Sequence, residues 1–249
     1  MLKLLLIDMN CGIVIIPTYN EIENIESIIR AVFSLHKSFH ILIVDDNSPD
    51  KTADKVKELQ LEFQDLLHLE VRTKKAGLGT AYVHGFKWAL NHNYEYIFEM
   101  DADYSHNPND LEKLYDACHF GGADLAIGSR YVTGVNVVNW PLSRVLLSYF
   151  ASVYVRKITG MKIMDATAGF ICYSKVVLES INLDTIKFIG YAFQIEMKYR
   201  AFSKNFNIQE VPVIFTDRTK GQSKMSGSII KEAIFGVLSL RIKKFFNRL

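Results

Sequence analysis

The sequence contains little cysteine and no long apolar run. Three cysteines occur in 249 residues, at Cys11, Cys118 and Cys172. An odd number of widely separated cysteines fits neither a disulfide framework nor a zinc site, and it favours a reducing compartment. No stretch reaches the roughly 18 uninterrupted apolar residues that mark a membrane-spanning helix. The apolar N-terminus lacks the small-residue cleavage site of a signal peptide, so we expect it to extend the fold.

A large excess of charge is also missing. The formal net charge is +2, which argues against a nucleic-acid-binding protein. The chain is 49% hydrophobic and 22% charged, which is typical of a globular protein with a substantial core. No internal repeat or low-complexity linker divides it. The composition therefore predicts one large domain, or a domain with an appendage.

Apolar runs alternate with helical patterns through residue 130. The runs predict five strands, at residues 12–16, 39–44, 66–71, 96–100 and 125–128. The segments between them predict helices, and we expect Asn20 and Glu23 to form a capping box before the first one. Strands that alternate with helices indicate βαβ units. The sequence therefore predicts an α/β fold whose mostly parallel sheet is flanked by helices.

Polar residues follow several of these strands. Asp101 and Asp103 come directly after the fourth predicted strand, and Asp46 follows the second. Because the carboxyl ends of parallel strands meet at one edge, we expect these carboxylates to gather there. Two adjacent carboxylates suit a hard divalent cation on a diphosphate, although the pair taken on its own is better explained as a polar loop before a helix capped by Asn107. Together the three carboxylates predict a nucleotide–metal site.

The motifs resemble those of family 2 glycosyltransferases with the GT-A (Rossmann-like) fold, and more narrowly those of polyprenol-phosphate (dolichol-phosphate) mannose synthases. The resemblance covers roughly residues 12–228. Its motifs lie at 15–21, 44–50, 75–82, 100–106, 128–131, 211–218 and 221–224. The resemblance implies transfer of mannose from GDP-mannose to a polyprenyl (dolichyl-type) monophosphate, by a metal-dependent inverting mechanism with Mg²⁺ or Mn²⁺.

The resemblance also implies a role for individual positions. The positions expected to bind the donor nucleoside are Pro17, Tyr19, Glu21, Val44 and Asp46. Those expected to hold the donor diphosphate and the metal are Asp101, Ala102, Asp103 and Ser105. Asp103 is the principal metal ligand in this assignment, whereas Ser105 stands where many relatives have glutamine, so its role as a metal or phosphate contact is weaker.

Four cations match positions that contact the donor and acceptor phosphates in the same family: Arg130, Arg144, Arg218 and Lys224. The expected catalytic residues are Asp103, Arg130 and Arg144. Segment 218–228 is rich in small and polar residues, which suits a loop that closes over the donor. Asp165 is assigned a structural or acceptor-ordering role, because a phosphate acceptor is already ionised near pH 7 and needs no strong base.

Two segments suggest a membrane surface. In residues 1–228, taken as the GT-A domain, we expect an inserted amphipathic interface helix at 140–160, and we expect a basic amphipathic helix at 229–249. The apolar stripe of the second helix is Ile229, Ala233, Val237 and Leu240. Two ordinary packed helices, or a dimer contact, remain as alternatives. Since relatives often carry C-terminal spans that are not seen here, we expect peripheral attachment to the cytoplasmic face, or a membrane-anchoring partner.

Two other functions stay open at this point. One is transfer to the same lipid from UDP-glucose or another sugar nucleotide, because nothing in the donor motifs selects the base. The other is a non-catalytic subunit that binds a sugar nucleotide at membranes, for which the hydroxyl of Ser105 in place of a longer side chain is the supporting feature.

Overall fold

The structure, a computed structural model, describes residues 12–217 and 227–246. Its strands are β1 (Ile13–Thr18), β2 (His40–Asp45), β3 (Leu67–Val71), β4 (Tyr96–Glu99), β5 (Leu125–Ser129), β6 (Val137–Val138), β7 (Ile171–Ser174), β8 (Ile208–Pro212) and β9 (Phe215–Thr216). Its α-helices are α1 (Ile25–Phe33), α2 (Thr52–Phe63), α3 (Leu78–Asn91), α4 (Asp110–His119), α5 (Leu142–Thr159), α6 (Lys175–Ser180), α7 (Tyr191–Ser203) and α8 (Gly227–Phe245).

Seven strands form one sheet in the order β3-β2-β1-β4-β7-β5-β8. The pairs β1–β2, β2–β3, β1–β4 and β5–β8 are parallel, whereas β7 is antiparallel to both of its neighbours, β4 and β5. The two short strands β6 and β9 form a separate parallel pair. The prediction of an α/β fold with a mostly parallel, helix-flanked sheet is confirmed.

Helices cover both faces of the sheet, which explains the continuous apolar character of the strands. Along β1, Ile13 and Ile15 face a core that includes residues of α3, α6 and α7, whereas Val14 and Ile16 face a core built with α1, α2 and α4. Helix α3 packs very closely on β1, because a Cβ added at Gly85 would lie 2.6 Å from the Ile15 side chain.

The predicted capping box before α1 is wrong. Helix α1 begins at Ile25, and Asn20 lies upstream of it in the left-handed region with φ 61°. Instead, the backbone N–H of Asn20 donates to Ser48 Oγ and that of Glu21 donates to Thr52 Oγ1, both at 3.0 Å. The residues after β1 are therefore held against the residues after β2 rather than in a helical cap.

Helix α8 is apolar on two sides. Val237 and Leu240 are buried and join the core, so the interpretation of these two residues as part of a lipid-facing stripe is wrong. In the part of α8 whose side chains the structure describes, residues 234–245, the exposed apolar side chains are Ile234, Phe235, Leu238, Ile242 and Phe245. On the neighbouring helix α5, the exposed ones are Leu142, Leu146, Leu147 and Phe150. Among the helices that the structure describes, none has both the length and the apolar character needed to cross a bilayer.

Two half-buried histidines on β2 and β3 predict that the fold loses stability at acidic pH. Burial lowers the pKa of His40 and of His68 below the usual 6.5. A base whose folded pKa is depressed stabilises the fold only above its unfolded pKa, so this contribution declines as the pH falls from about 6.5 through the folded pKa. We expect His40→Gln to reduce the loss of unfolding free energy between pH 7.5 and 5, measured by urea denaturation. The exposed His36→Gln variant should behave as the wild type, and an equal loss in His40→Gln would contradict the prediction.

Candidate active site

The positions predicted to bind the nucleoside lie at the carboxyl ends of β1 and β2. Pro17 pairs with Val44 in the parallel register of the two strands. The ring of Tyr19 lies 4.1 Å from the Lys75 ammonium group, a cation–π contact. The Glu21 carboxylate accepts a hydrogen bond from the Asn24 side chain at 3.1 Å.

Asp45 and Asp46 have different surroundings although they are adjacent. The buried Asp45 carboxylate accepts hydrogen bonds from Thr18 Oγ1 at 2.8 Å and from the N–H and Oγ of Ser48, which holds the turn after β2. The Asp46 carboxylate instead forms an ion pair with Arg72, with Nε at 2.6 Å and Nη2 at 2.5 Å. Asp46 is thus held in one orientation by a cation from the end of β3.

Gly77 and Gly79 allow the chain before α3 to pack closely against residues 188 and 189. Gly77 has φ 100°, a region that favours glycine, and the N–H of Gly79 donates to the carbonyl of Ile189 at 2.9 Å. A Cβ at Gly79 would lie 2.7 Å from the carbonyl oxygen of Phe188. This segment therefore packs against the loop before α7. The Gly79 N–H is bonded to that loop and is not available to a ligand.

The segment 101–106 follows β4 and folds back on itself. The N–H of Asp101 donates to Nδ1 of the buried His106 at 3.2 Å, and Tyr82 Oη donates to the Asp101 carboxylate at 3.3 Å. The Asp103 carboxylate accepts from the N–H of Ser105 at 3.1 Å. Burial lowers the pKa of His106 to about 4, so its ring is neutral and Nδ1 accepts at physiological pH. Ala102 is packed into the core.

This donor set fits a divalent cation that is shared with a diphosphate. In the described residues, no group of three His, Cys, Asp or Glu side chains could hold a metal by itself. However, Ser105 Oγ is buried and has no hydrogen-bond partner among the described residues. The N–H of the same residue donates to the Asp103 carboxylate. Mg²⁺ is commonly held by one or two carboxylates together with substrate phosphates and water. The segment is therefore suited to complete a metal site only when a diphosphate is bound.

A buried polar cluster lies under this segment. The Glu99 carboxylate accepts hydrogen bonds from Tyr173 Oη at 3.0 Å and from Gln194 Nε2. Burial raises the pKa of Glu99 to about 7, and burial lowers the pKa of Lys198 to about 8. Lys198 Nζ donates to the backbone carbonyls of Ala166, Ala168 and Gln194. The cluster joins β4, β7 and α7 beneath the carboxylates at the strand end.

Arg130, at the end of β5, is paired with Asp165 inside the protein. Its Nε donates to one carboxylate oxygen at 2.7 Å and its Nη2 to the other at 2.6 Å, while its backbone N–H adds a third bond at 3.0 Å. Although burial acts to raise it, the Arg130 charge holds the pKa of Asp165 below its usual value. Asp165 is thus placed to orient Arg130, which agrees with the structural role predicted for it.

Arg144, on the first turn of α5, lies near Arg130. Its Nη1 donates to Asp217 at 2.7 Å, and its guanidinium carbon lies 4.0 Å from the ring centre of Trp140. The guanidinium of Arg130 is 5.3 Å from the same ring. Two guanidinium groups therefore lie close to the same indole, and two like charges in one region favour a bound anion. Arg218 and Lys224, the other two predicted cations, lie outside the described residues.

One cavity of about 370 Å³ connects these groups with the two C-terminal helices. At one end its wall contains Asp101, Ser105, Arg130 and Arg144. At the other end the wall is apolar and comes from α5 and α8, with side chains Leu147, Phe150, Tyr154, Ile234 and Val237. The Tyr154 hydroxyl ties the two helices together by donating to the carbonyl of Ile234 at 3.0 Å. The cavity is therefore charged at one end and apolar at the other.

Sequence analysis missed four residues that shape the site: Arg72, His106, Trp140 as a cation–π partner, and Asp217. Arg72 was detectable, because it follows β3 as Asp46 follows β2, and the rule that polar groups follow strands applies to it equally. Trp140 entered the sequence interpretation only as the first residue of the interface helix expected at 140–160. Asp217 is separated from Arg144 by 73 positions, so no local pattern indicated their pairing.

Fold and site together define a glycosyltransferase of the GT-A type. Residues 13–181 match the model of glycosyl transferase family 2, and the chain belongs to that family. It is 49% identical to polyprenol monophosphomannose synthase of Mycolicibacterium smegmatis, over 95% of this chain and 89% of the relative. It is 43% identical to undecaprenyl-phosphate mannosyltransferase of Micrococcus luteus, over 90% of each chain. Dolichol-phosphate mannosyltransferase of Pyrococcus furiosus is 38% identical over 88% of this chain and 60% of its own length.

Solved structures support the same fold. The chain superposes on glucosyl-3-phosphoglycerate synthase from Mycobacterium tuberculosis with a TM-score of 0.70, covering 92% of this chain and 78% of that one. That structure contains Mn²⁺, UDP and phosphoglyceric acid. The identity between the two is 16%, so the likeness concerns the fold.

Proposed function

We propose that the protein transfers mannose from GDP-mannose to a polyprenyl monophosphate and so forms polyprenyl-phosphate mannose. The observation that carries this proposal is the single cavity with a charged and an apolar end. A polyprenyl phosphate has the same polarity, since a dianionic head is joined to a long hydrocarbon chain. The names of three relatives, which describe mannosyl transfer with polyprenol, undecaprenyl phosphate or dolichol phosphate, support the same acceptor class and sugar.

In this proposal the donor lies along the ends of β1, β2 and β4. The nucleoside contacts Pro17, Tyr19, Glu21, Val44 and Asp46. The diphosphate would lie beside Asp101 and Asp103, which would hold Mg²⁺ or Mn²⁺ together with it, and Ser105 would add a hydroxyl at the same place. When bound, the cation offsets the charge that develops on the departing diphosphate.

The acceptor phosphate lies between Arg130 and Arg144. An oxygen of this phosphate forms a bond to the anomeric carbon of mannose while the bond from that carbon to the diphosphate breaks, and its electron pair leaves with GDP. Attack from the side opposite the leaving group inverts the anomeric configuration. The acceptor needs no general base, since a phosphate monoester is largely dianionic at pH 7. Positioning by the two arginines and charge stabilisation supply the acceleration.

The same proposal places the protein on the cytoplasmic face of a membrane. Its acceptor is a bilayer lipid, and the apolar end of the cavity is formed by the two helices that also expose Phe150 and Phe235. The cationic residues Arg241, Lys243 and Lys244 lie near the C-terminal end of α8, and their charge suits anionic lipid head groups. A membrane-anchoring partner could supplement this attachment.

The proposal is tested by measuring the transfer of label from a panel of sugar nucleotides into organic-extractable lipid, with a polyprenyl phosphate acceptor. Label from GDP-mannose, lost with chelator and restored by Mg²⁺ or Mn²⁺, is the expected result. Label from UDP-glucose instead would show that the proposed donor is wrong and leave the proposed acceptor unchanged. UDP-glucose is the main alternative donor, because the M. tuberculosis neighbour was solved with it. Donor binding without any transfer would favour a non-catalytic subunit and overturn the proposal.

Arg144→Ala is expected to impair use of the acceptor while leaving donor binding intact. Hydrogen bonds to a charged group contribute about 1.5–3 kcal/mol, so KM for polyprenyl phosphate should rise about tenfold to a hundredfold. The Kd of GDP-mannose, measured by calorimetry, should stay within about twofold of the wild type. Arg30→Ala is a matched control, since Arg30 is also ion-paired but lies on α1, away from the site. Loss of donor affinity in Arg144→Ala would contradict the assignment.

A further inference from the structure

Arg144 is held on two sides by other residues of the chain. Its guanidinium carbon lies over the Trp140 indole, 4.0 Å from the ring centre, and its Nη1 donates a hydrogen bond to Asp217 at 2.7 Å. A guanidinium has five N–H donors in a rigid plane. Within the described residues no hydrogen-bond partner is found for Nε or Nη2 of Arg144, although the side chain forms part of the cavity wall. The edge formed by Nε and Nη2 presents two parallel N–H groups and can bind a phosphate with two hydrogen bonds.

Asp217 is itself well anchored. Its N–H donates to the carbonyl of Val138 at 3.0 Å, and the preceding residue, Thr216, donates to the carbonyl of Ser105 at 3.4 Å. Strand β9 thus contacts both β6 and the loop that contains the metal-binding positions. Since Arg144 is fixed to the end of β9, its position is set relative to the same loop.

We infer that Asp217 and Trp140 are positioning residues that hold Arg144 in the orientation that receives the acceptor phosphate. This inference rests on the proposed function. Asp217 fixes one end of the guanidinium, and Trp140 fixes its plane, so the Nε–Nη2 edge is presented before the acceptor arrives. An arginine that is already ordered loses less conformational entropy when it binds a phosphate.

The inference predicts that the effect of Asp217 depends on Arg144. We expect Asp217→Ala to weaken binding of farnesyl phosphate, a short polyprenyl monophosphate, about tenfold in calorimetry. In the Arg144→Ala background the same change should alter the Kd by less than about twofold, because no guanidinium remains to be oriented. In transfer assays with a longer acceptor, Asp217→Ala should raise KM for the lipid and leave kcat within about threefold.

Conservative variants separate positioning from simple stability. Asp217→Asn keeps an oxygen acceptor for Nη1 and should fall between the wild type and Asp217→Ala. Trp140→Phe keeps an aromatic face and should bind farnesyl phosphate better than Trp140→Leu, which keeps apolar bulk alone. All variants should bind GDP-mannose with the Kd of the wild type.

The outcomes distinguish the inference from the function on which it rests. An effect of Asp217→Ala that is equally large with and without Arg144, or tighter binding of farnesyl phosphate by Asp217→Ala, would overturn the positioning role. Wild-type protein that binds farnesyl phosphate but transfers no mannose would overturn the proposed function while leaving the positioning role standing. Wild-type protein that does not bind farnesyl phosphate would overturn both.

Discussion

Asp103→Ala is expected to lower the rate of mannosyl transfer by about a thousandfold or more, the scale on which loss of a preorganised charge-stabilising group acts. Asp103 lies after β4, beside Asp101 and the buried hydroxyl of Ser105. In the proposed function, Asp103 would be the principal protein ligand of the cation, and without its carboxylate the charge on the departing diphosphate would be less well offset. The rate is measured as label transferred into lipid at saturating donor and acceptor.

Two further measurements make this result specific. Asp103→Asn keeps the shape of the side chain and an oxygen for the Ser105 N–H, so it should fold as the wild type and still lose transfer. Binding of Mn²⁺ in the presence of GDP, followed by electron paramagnetic resonance, should weaken in both variants. Asp54→Asn changes an exposed carboxylate on α2 and should be active. Near-normal turnover in Asp103→Ala would eliminate the metal role.

Asp165→Ala is expected to destabilise the protein by about 3–5 kcal/mol, because it leaves the Arg130 guanidinium buried without its counter-ion. Arg130 is 7% exposed and Asp165 is 0% exposed, so solvent screens this pair very little. Unfolding in urea gives the change in free energy. Transfer should be lost as well, since the orientation of Arg130 depends on both carboxylate oxygens.

A double variant separates the two effects. Arg130→Met with Asp165→Leu replaces the ion pair by apolar side chains, and such replacements of buried pairs are often neutral or stabilising. We expect the double variant to recover most of the stability lost in Asp165→Ala while remaining inactive, because the cation that binds the acceptor phosphate is absent. Recovery of activity together with stability would show that Arg130 acts only in folding.

The first half of the fold was predictable because its signals are local. The apolar runs of β1 to β5 are continuous, and their observed bounds lie within two residues of the predicted ones. Strand β7 was harder to predict from the sequence. It has four residues, its pattern does not indicate direction, and its antiparallel place between β4 and β5 depends on contacts with strands far away in the chain.

Those site residues that come directly after a strand were predictable from the sequence. The positions of Asp46, Asp101 and Asp103 follow from that rule, whereas the partners of Arg130 and Arg144 do not. Asp165 and Asp217 are joined to Arg130 and Arg144 only through the folded chain. On α8 the periodicity indicated an apolar stripe but could not say which side faces the core, since the helix is apolar on two sides.

The place of β7 in the sheet affects how the chain folds while it is being synthesised. Strands β1 to β4 are neighbours in the sheet and are complete by residue 99, so this half of the sheet can form early. Strand β5 then has no neighbour on the β4 side until residues 171–174 leave the ribosome. Nascent chains fold from the N-terminus onward. The part of the sheet that contains β5 therefore waits for a later cooperative step, and α8 adds its side chains to the cavity wall only after the sheet is complete.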